Sequence, residues 1–176
     1  MNCVAIVGTT GSGKSTLGER LAARIGGAFV DLDALNWGPG WTPAPVPLFR
    51  ERTAAALSGE RWAVAGNYRE VRAIVWGRAD SLVWLDYPLP FVLWRLLRRT
   101  ARRVATQEEL WGGNRERLRA QFASRDSLFL YAVKTHYRRR REYPADLAKP
   151  EYTHLRVLRF RRPGEVERWL DGWPVS

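Results

Sequence analysis

The sequence predicts an α/β fold in which a five-stranded parallel sheet carries helices on both faces. Five short apolar runs have the length of β-strands, and segments with helical spacing alternate with them along the chain. Neither an internal repeat nor a linker interrupts this pattern. The 176 residues, 45% of them hydrophobic, suit one domain over residues 1–176 with a single core.

The N-terminal half begins with the apolar run 2–7, whose continuous hydrophobicity is typical of a strand buried on both faces. After a Gly-rich turn, a helix is predicted at 14–25, because Leu17, Leu21 and Ile25 fall on one stripe. The other elements predicted here are a strand at 28–32, an ordered loop rich in Pro, Gly and Trp at 36–47, a helix at 48–57 and a strand at 62–65.

The C-terminal half has an amphipathic helix predicted at 91–104, with Arg95, Arg99 and Arg102 on one stripe. The charged segment 106–121 contains two consecutive glycines and is predicted to be a mobile excursion. The other elements predicted here are helices at 70–76, 124–142 and 164–170 and strands at 81–85 and 154–158.

A Gly-rich sequence directly after the first predicted strand matches G-x-x-x-x-G-K-[ST] at every fixed position. In such a P-loop, glycines let successive backbone N–H groups point at phosphate oxygens, and the following helix presents its positive end to the anion. Lys14 is predicted to bridge the β- and γ-phosphates of a nucleoside triphosphate, and the Ser15 hydroxyl to bind Mg²⁺. The candidate nucleotide-binding residues are Gly8, Thr9, Thr10, Gly11, Ser12, Gly13, Lys14, Ser15 and Thr16.

Aspartates stand at the ends of two predicted strands. Asp31 and Asp33 are expected to face the P-loop, because ligands of doubly wound folds bind beyond the carboxyl ends of the strands. Such a carboxylate accepts a proton from a substrate hydroxyl or holds a Mg²⁺-bound water, while Asp33 has the alternative role of a helix N-cap. Asp86 follows the apolar run 81–85 and is predicted to coordinate Mg²⁺ through water; its alternative is a solvated strand end.

The sequence disfavours several classes of protein. It lacks the Asn-Lys-x-Asp motif of Ras-like GTPases, and it is short for an AAA-type motor. Its single cysteine, Cys3, permits no disulfide within the chain, which suits a reducing compartment. The longest apolar region, 81–97, contains Asp86, Arg95 and two prolines, and no signal peptide is apparent. A cytoplasmic protein with no membrane association is therefore expected.

The net charge of +11 comes almost entirely from arginine. Arginine binds phosphate in a two-pronged fashion and stays charged. Three explanations stay open: a site that clamps polyphosphate, a nucleic-acid-binding surface, and genome base composition without functional meaning. The run Arg138–Arg141 suits the second explanation, although basic residues at an exposed helix end also complement the helix dipole.

Beyond the P-loop, the chain carries Asp31-Leu32-Asp33-x₃-Trp37-x₃-Trp41, then Trp62-x₃-Gly66-Asn67-Tyr68, then Leu85-Asp86. With these motifs it resembles adenylate-kinase-like P-loop proteins, and more narrowly the topology modulation or FlaR-like subgroup. The stretch from Glu109 to Glu116, Glu-Leu-Trp-Gly-Gly-Asn-Arg-Glu, is also similar to members of that subgroup. The resemblance covers most of the chain.

This resemblance implies a nucleoside-monophosphate-kinase fold that uses ATP as phosphate donor, with an acceptor-side region at about 33–69 and an arginine-rich lid at about 104–123. It implies that Gly66, Asn67, Tyr68 and Arg69 line the acceptor site. It also implies that Arg95, Arg99, Arg102 and the region 115–119 supply charge to the lid. The family names no acceptor. A Trp- and Pro-rich acceptor-side loop and a lid without a cysteine zinc cluster put AMP in doubt as that acceptor.

The sequence therefore favours a kinase for a small molecule or a nucleotide, of unknown oligomeric state. In this hypothesis ATP and Mg²⁺ bind the P-loop, Asp33 accepts the hydroxyl proton, and Arg95 and Arg99 close over the γ-phosphate. Trp37, with Trp41 and Tyr68, is a candidate for stacking on a ring-bearing acceptor, or alternatively anchors the loop. The rival hypotheses are a nucleic-acid-associated ATP-binding protein and a degenerate kinase fold that transfers nothing.

Overall fold

The computed structural model describes residues 1–107, 109–115 and 128–173. Its main sheet has five parallel strands in the order β2-β3-β1-β4-β7, and a short antiparallel hairpin, β5–β6, stands apart from it. The strands are β1 (Cys3–Gly8), β2 (Ala28–Asp31), β3 (Trp62–Ala65), β4 (Ser81–Leu85), β5 (Glu109–Leu110), β6 (Asn114–Arg115) and β7 (Arg156–Phe160).

The helices of the described residues connect these strands. They are α1 (Lys14–Ile25), α2 (Leu32–Asn36), α3 (Val46–Ala56), α4 (Arg72–Arg78), α5 (Leu89–Thr106), α6 (Leu128–Leu147) and α7 (Pro163–Asp171). Short 3₁₀ turns lie at Pro39–Trp41, Arg69–Val71, Trp111–Gly113 and Pro150–Tyr152. Within the described ranges, no helix has both the length and the apolar character that crossing a bilayer requires.

The core lies in two layers, one on each face of the sheet. Along β1, Val4 and Ile6 pack into one layer, while Ala5 and Val7 pack into the other. The first layer includes buried residues of α1, α5 and α7, and the second includes residues of α3, α4 and α6. Both faces of β1 are therefore buried, which explains why its residues are continuously hydrophobic.

The predicted five-stranded parallel sheet with helices on both faces is confirmed. Because β1 lies between β3 and β4, the chain leaves the end of β1 toward one edge of the sheet and returns from β3 toward the other. A crevice opens where such connections diverge. The P-loop after β1 and the residues 66–68 after β3 lie at this crevice.

Two predicted segments have a different structure. The second strand ends at Asp31 and not at residue 32, because the Asp31 side chain accepts a hydrogen bond from the Asp33 N–H and starts α2. The segment 106–121 contains the hairpin β5–β6, whose register pairs Leu110 with Asn114. Residue 108 and residues 116–127, which include most of the predicted lid, lie outside the described part of the chain.

Helix α6 continues past its predicted end at residue 142, through Pro144, to Leu147. Proline removes one backbone donor from a helix and normally ends it. Here Tyr143, the residue before the proline, is buried and packs edge-on against Trp76 and Trp84. This burial holds the helix against the sheet on both sides of the proline.

We expect Gly27→Ala to destabilise the fold. A Cβ at residue 27 would lie 2.5 Å from the Arg61 carbonyl oxygen, and backbone cannot retreat as a flexible side chain can. The free energy of unfolding should fall by about 1–3 kcal/mol in urea denaturation.

The matched control is Gly77→Ala, because Gly77 is exposed in α4 and a Cβ there has no neighbour within 4 Å. This change should leave the stability unchanged or raise it by about 0.5–1 kcal/mol. If both substitutions changed the free energy of unfolding equally, the close contact between Gly27 and the Arg61 backbone would be contradicted.

Candidate active site

The P-loop is tightly packed between β4 and α5. A Cβ at Gly8 would lie 2.8 Å from the Leu85 carbonyl oxygen. Gly13, the N-cap of α1, has φ 96°, a left-handed conformation that favours glycine. This conformation leads the loop directly into α1, whose positive end therefore faces the loop.

Asn67 ties the end of β3 to this loop. Its Oδ1 accepts a hydrogen bond from the Gly8 N–H at 3.0 Å, and its Nδ2 donates to the Gly8 carbonyl at 2.7 Å. The Tyr143 hydroxyl donates to the same Oδ1 at 3.2 Å. Asn67 thus positions the P-loop as well as lining the cleft beside it.

Lys14 lies inside the curve of the P-loop. Its Nζ donates to the Thr9 carbonyl at 3.3 Å. Burial, followed by the positive charge of Arg139, lowers the pKa of Lys14 to about 8. An ammonium whose charge is this poorly compensated is suited to bind an anion.

Ser15 and Asp31 form a pair at the crevice. The Ser15 hydroxyl donates to Asp31 Oδ2 at 3.1 Å, while Asp31 Oδ1 accepts from the Asp33 N–H at 2.9 Å. Asp31, and not Asp33, is therefore the N-cap of α2. Burial, and then the charge of Asp33, raise the pKa of Asp31.

These residues fit a magnesium–triphosphate group. A hydroxyl and a carboxylate within hydrogen-bond distance provide the hard oxygen atoms that Mg²⁺ prefers. The Ser12 hydroxyl is buried in the P-loop and, among the described residues, has no hydrogen-bond partner. An unsatisfied buried hydroxyl in a ring of backbone donors is consistent with a polar ligand that completes the loop.

Asp33 lies on α2 beside Tyr68, in the same cleft as Lys14. The Tyr68 hydroxyl donates to Asp33 Oδ1 at 2.5 Å, and the Tyr68 ring packs edge-on against Phe49. Burial and the Asp33 charge raise the pKa of Tyr68, which therefore acts as a permanent donor at neutral pH. Tyr68 thus orients Asp33 through one oxygen.

Helix α5 brings its arginines to the nucleotide side of the cleft. A Cβ at Gly13 would lie 3.1 Å from Arg95 Nη2, which places that guanidinium against the P-loop. Arg99 and Arg102 line the same cleft. Within the region 115–119, the side chain of residue 115 and residues 116–119 lie outside the described part of the chain.

Asp86 and Arg69 pair with charged side chains away from the cleft. Asp86 is 3% exposed, and each of its carboxylate oxygens lies 2.6 Å from a guanidinium, one from Arg140 and one from Arg159. Asp86 is not among the residues that line the cleft, and its role as a metal ligand stays a prediction. Arg69 pairs with Glu142 at 2.6 Å and also lies outside that lining.

Helix α6 supplies two site residues that sequence reasoning missed. Arg139 is only 5% exposed, donates to the Thr135 hydroxyl at 3.0 Å and lines the cleft. His136 lies 3.1 Å from the Thr9 hydroxyl through Nδ1, and burial lowers its pKa. No local signal reveals these contacts, because 127 residues separate Thr9 from His136.

The basic run Arg138–Arg141 is therefore not a uniform surface cluster. Arg139 faces the cleft, and Arg140 pairs with Asp86. The run also lies inside α6, which extends to Leu147, and not at a helix end. These contacts weaken the hypothesis of a nucleic-acid-binding surface.

The aromatic residues of the acceptor-side loop also reach the cleft. Trp37 and Trp41 line it and form an edge-on pair with ring centroids 5.9 Å apart. Gly66 lines it as well, beside Asn67 and Tyr68. Of the predicted acceptor-side residues, only Arg69 is directed elsewhere.

Comparison with models of known families and with curated proteins finds no match for this chain. Solved structures do match. A shikimate kinase from Acinetobacter baumannii, determined in complex with shikimate, has a TM-score of 0.57 at 17% identity, covering 97% of this chain and 89% of its own. This chain has a P-loop kinase fold.

Two other solved structures agree with that fold. A gluconokinase from Sinorhizobium meliloti has a TM-score of 0.52 at 18% identity, covering 96% of this chain and 89% of its own. A shikimate kinase from Bacteroides thetaiotaomicron has a TM-score of 0.55 at 16% identity, covering 96% and 93%. At these identities the likeness concerns the fold alone.

We expect Asp31→Asn and Asp86→Asn to separate metal binding from stability. Asp31→Asn should raise the Mg²⁺ concentration needed for binding of a fluorescent ATP analogue by about tenfold or more, because it removes the charge beside Ser15. Asp86→Asn should leave this Mg²⁺ dependence unchanged and lower the free energy of unfolding by about 2–3 kcal/mol. The opposite pattern would restore Asp86 as the metal ligand.

Nucleotide affinity should fall as the pH rises through about 8. Below that pH, Lys14 of the free protein carries the charge that binds phosphate; above it, each pH unit removes about a factor of ten from the affinity until the pKa of the bound state is reached. Titration of the ATP analogue between pH 6.5 and 9.5 checks this. Lys14→Arg should abolish the dependence, since arginine stays charged; an unchanged affinity in the native protein would refute it.

Proposed function

We propose that this protein is an ATP-dependent phosphotransferase that acts on a hydroxyl group of a small-molecule acceptor. One observation carries the proposal: the P-loop and Asp33 line one continuous cleft, with Ser15 and Asp31 between them. A phosphate-binding loop that faced only water would suit a hydrolase. A carboxylate in the same cleft, oriented by Tyr68, suits transfer to an alcohol.

Each residue has a part in this reaction. The P-loop amides and Lys14 hold the β- and γ-phosphates, and Arg95, Arg99 and Arg139 stabilise charge that develops on the transferred group. Ser15 and Asp31 would hold Mg²⁺, which would supply further neutralisation of the phosphate oxygens. Asp33 accepts the proton of the acceptor hydroxyl as the hydroxyl oxygen attacks the γ-phosphorus. The bond from that phosphorus to the β–γ bridging oxygen breaks, and ADP leaves.

Tyr68 orients the Asp33 carboxylate for this proton transfer. A carboxylate with one oxygen bound to a buried hydroxyl has a defined orientation, which directs its other oxygen. The cleft lining next to Asp33 contains Gly66, Trp37 and Trp41, which leaves room for an acceptor between the P-loop and the loop 36–47.

The similarity to a gluconokinase and two shikimate kinases supports a kinase with a small acceptor. We further propose that the chain belongs to the topology modulation or FlaR-like subgroup of adenylate-kinase-like proteins. The aspartates at 31 and 33, the tryptophans at 37 and 41 and the Trp-Gly-Gly-Asn stretch carry that assignment. Membership of this subgroup supports ATP as the phosphate donor and a cytoplasmic location of the protein.

Lys14→Ala and Asp33→Asn should impair the reaction at different steps. Lys14→Ala should abolish ATP turnover while circular dichroism stays native, because the phosphates lose the ammonium group of the P-loop. Asp33→Asn should lower acceptor-stimulated ADP release by about 10²–10⁴-fold and leave the affinity for a non-hydrolysable ATP analogue unchanged.

The readout is a coupled ADP-release assay with a panel of sugars, sugar acids, cyclitols and nucleosides. The matched control is Asp171→Asn at the exposed end of α7, which should turn over like the native protein. ATP turnover that survives Lys14→Ala would overturn the proposal.

A further inference from the structure

The turn of the hairpin β5–β6 is docked against the acceptor-side loop. Asn114 is 6% exposed and makes the connection with two hydrogen bonds, while a third stays within the hairpin turn. Its Oδ1 accepts from the Trp41 N–H at 3.0 Å, and its Nδ2 donates to the carbonyls of Gly38 at 2.9 Å and Trp111 at 2.6 Å. A buried amide with both ends satisfied across two segments specifies their relative position.

Gly112 shows how close the two segments lie. Its φ is 68°, in the left-handed region, and a Cβ there would lie 2.8 Å from the Gly38 carbonyl carbon and 2.9 Å from the Pro39 nitrogen. The contact is backbone on backbone, so no side chain larger than hydrogen fits. The sequence Trp-Gly-Gly-Asn therefore permits this docking, because its first glycine allows the two backbones to touch.

Trp41 has a strained backbone at this contact. Its φ is 57°, which is uncommon for a residue with a bulky side chain. The Asn114 hydrogen bond to its N–H holds this conformation from outside the loop. Strained residues that are fixed by their surroundings concentrate at ligand-binding sites.

The docked hairpin completes an aromatic wall of the cleft. Trp111 comes from the hairpin, and Trp37 and Trp41 come from the loop; all three line the cleft that also contains Asp33 and Tyr68. Indole faces pack on flat, apolar ring faces at little entropic cost, while Asp33 binds a hydroxyl. A cationic acceptor is disfavoured, because the same cleft is lined by arginines and lysines.

We propose that Trp37, Trp41 and Trp111 form the specificity wall for an acceptor whose hydroxyl group is carried on a ring, and that Asn114 is the positioning residue that completes this wall. The inference rests on the proposed function and names its acceptor class. It assigns a binding role to the hairpin, a segment that would otherwise only shield the cleft.

The docking is tested first without ligand. In hydrogen-exchange NMR, the Trp41 amide should exchange about tenfold faster in Asn114→Ala than in the native protein, because its acceptor is gone. The matched control is Asn2→Ala, because Asn2 is exposed and directly precedes β1, far along the chain from the hairpin. This change should leave the exchange rate of the Trp41 amide unchanged. Equal exchange in the native protein and Asn114→Ala would overturn the positioning role.

The acceptor class is tested by calorimetry with saturating Mg²⁺ and a non-hydrolysable ATP analogue. The ring probes are shikimate, myo-inositol and cytidine, and the open-chain probes are D-gluconate and glycerol. At least one ring probe should bind more tightly than both open-chain probes. Asn114→Ala and Trp111→Ala should weaken it roughly tenfold relative to the nucleotide analogue, and Trp111→Phe should restore most of the affinity.

Three results would overturn the proposal: tighter binding of an open-chain probe, no binding of any ring probe by a protein that binds the nucleotide, or a ring affinity insensitive to residues 111 and 114. A native protein that fails to bind the nucleotide analogue would instead remove the proposed function, and the acceptor role of the wall with it. In that case exchange at Trp41 still decides whether Asn114 holds the hairpin in place.

Discussion

The two hydrogen bonds between Asn67 and the backbone of Gly8 are the constraint on which the site depends. They join the end of β3 to the start of the P-loop at the place where the sheet connections diverge. Since α2 also follows a neighbouring strand, Asp33 lies at a defined distance from the phosphate-binding amides. Phosphoryl transfer needs such a fixed distance, because in-line transfer tolerates little error in the position of the acceptor oxygen.

The arginines near the cleft have two kinds of surroundings: some pair with a buried carboxylate, and others line the cleft. Buried Asp86 pairs with Arg140 and Arg159, which are themselves partly exposed, and Arg159 also lies over the Trp84 ring at 4.1 Å. Arg139, one residue before Arg140, has a hydroxyl as partner and lines the cleft. Neighbouring arginines on one helix therefore have different partners. Burial, and then the positive charge of Arg139, lower the pKa of Lys14.

The cleft is bounded by segments that are distant in sequence. Helix α5 packs over the P-loop through Leu96 and extends to the segment that carries the hairpin. The hairpin in turn contacts the loop 36–47, which belongs to the acceptor side. In the described residues these segments thus line one common cleft.

The sequence by itself determined the sheet, the P-loop with Lys14 and Ser15, and the aspartates at 31 and 33, because each is a short-range signal in which neighbouring residues specify their own geometry. Tertiary structure decided the rest. Asp31 caps α2 in place of Asp33, and Asp86 pairs with arginines 54 and 73 residues away, although a strand that ends in Asp is locally indistinguishable from a metal site. The roles of Arg139, His136 and Asn114 likewise depend on contacts between distant segments. Local periodicity and propensity contain no information on such contacts, because packing of the whole chain creates them.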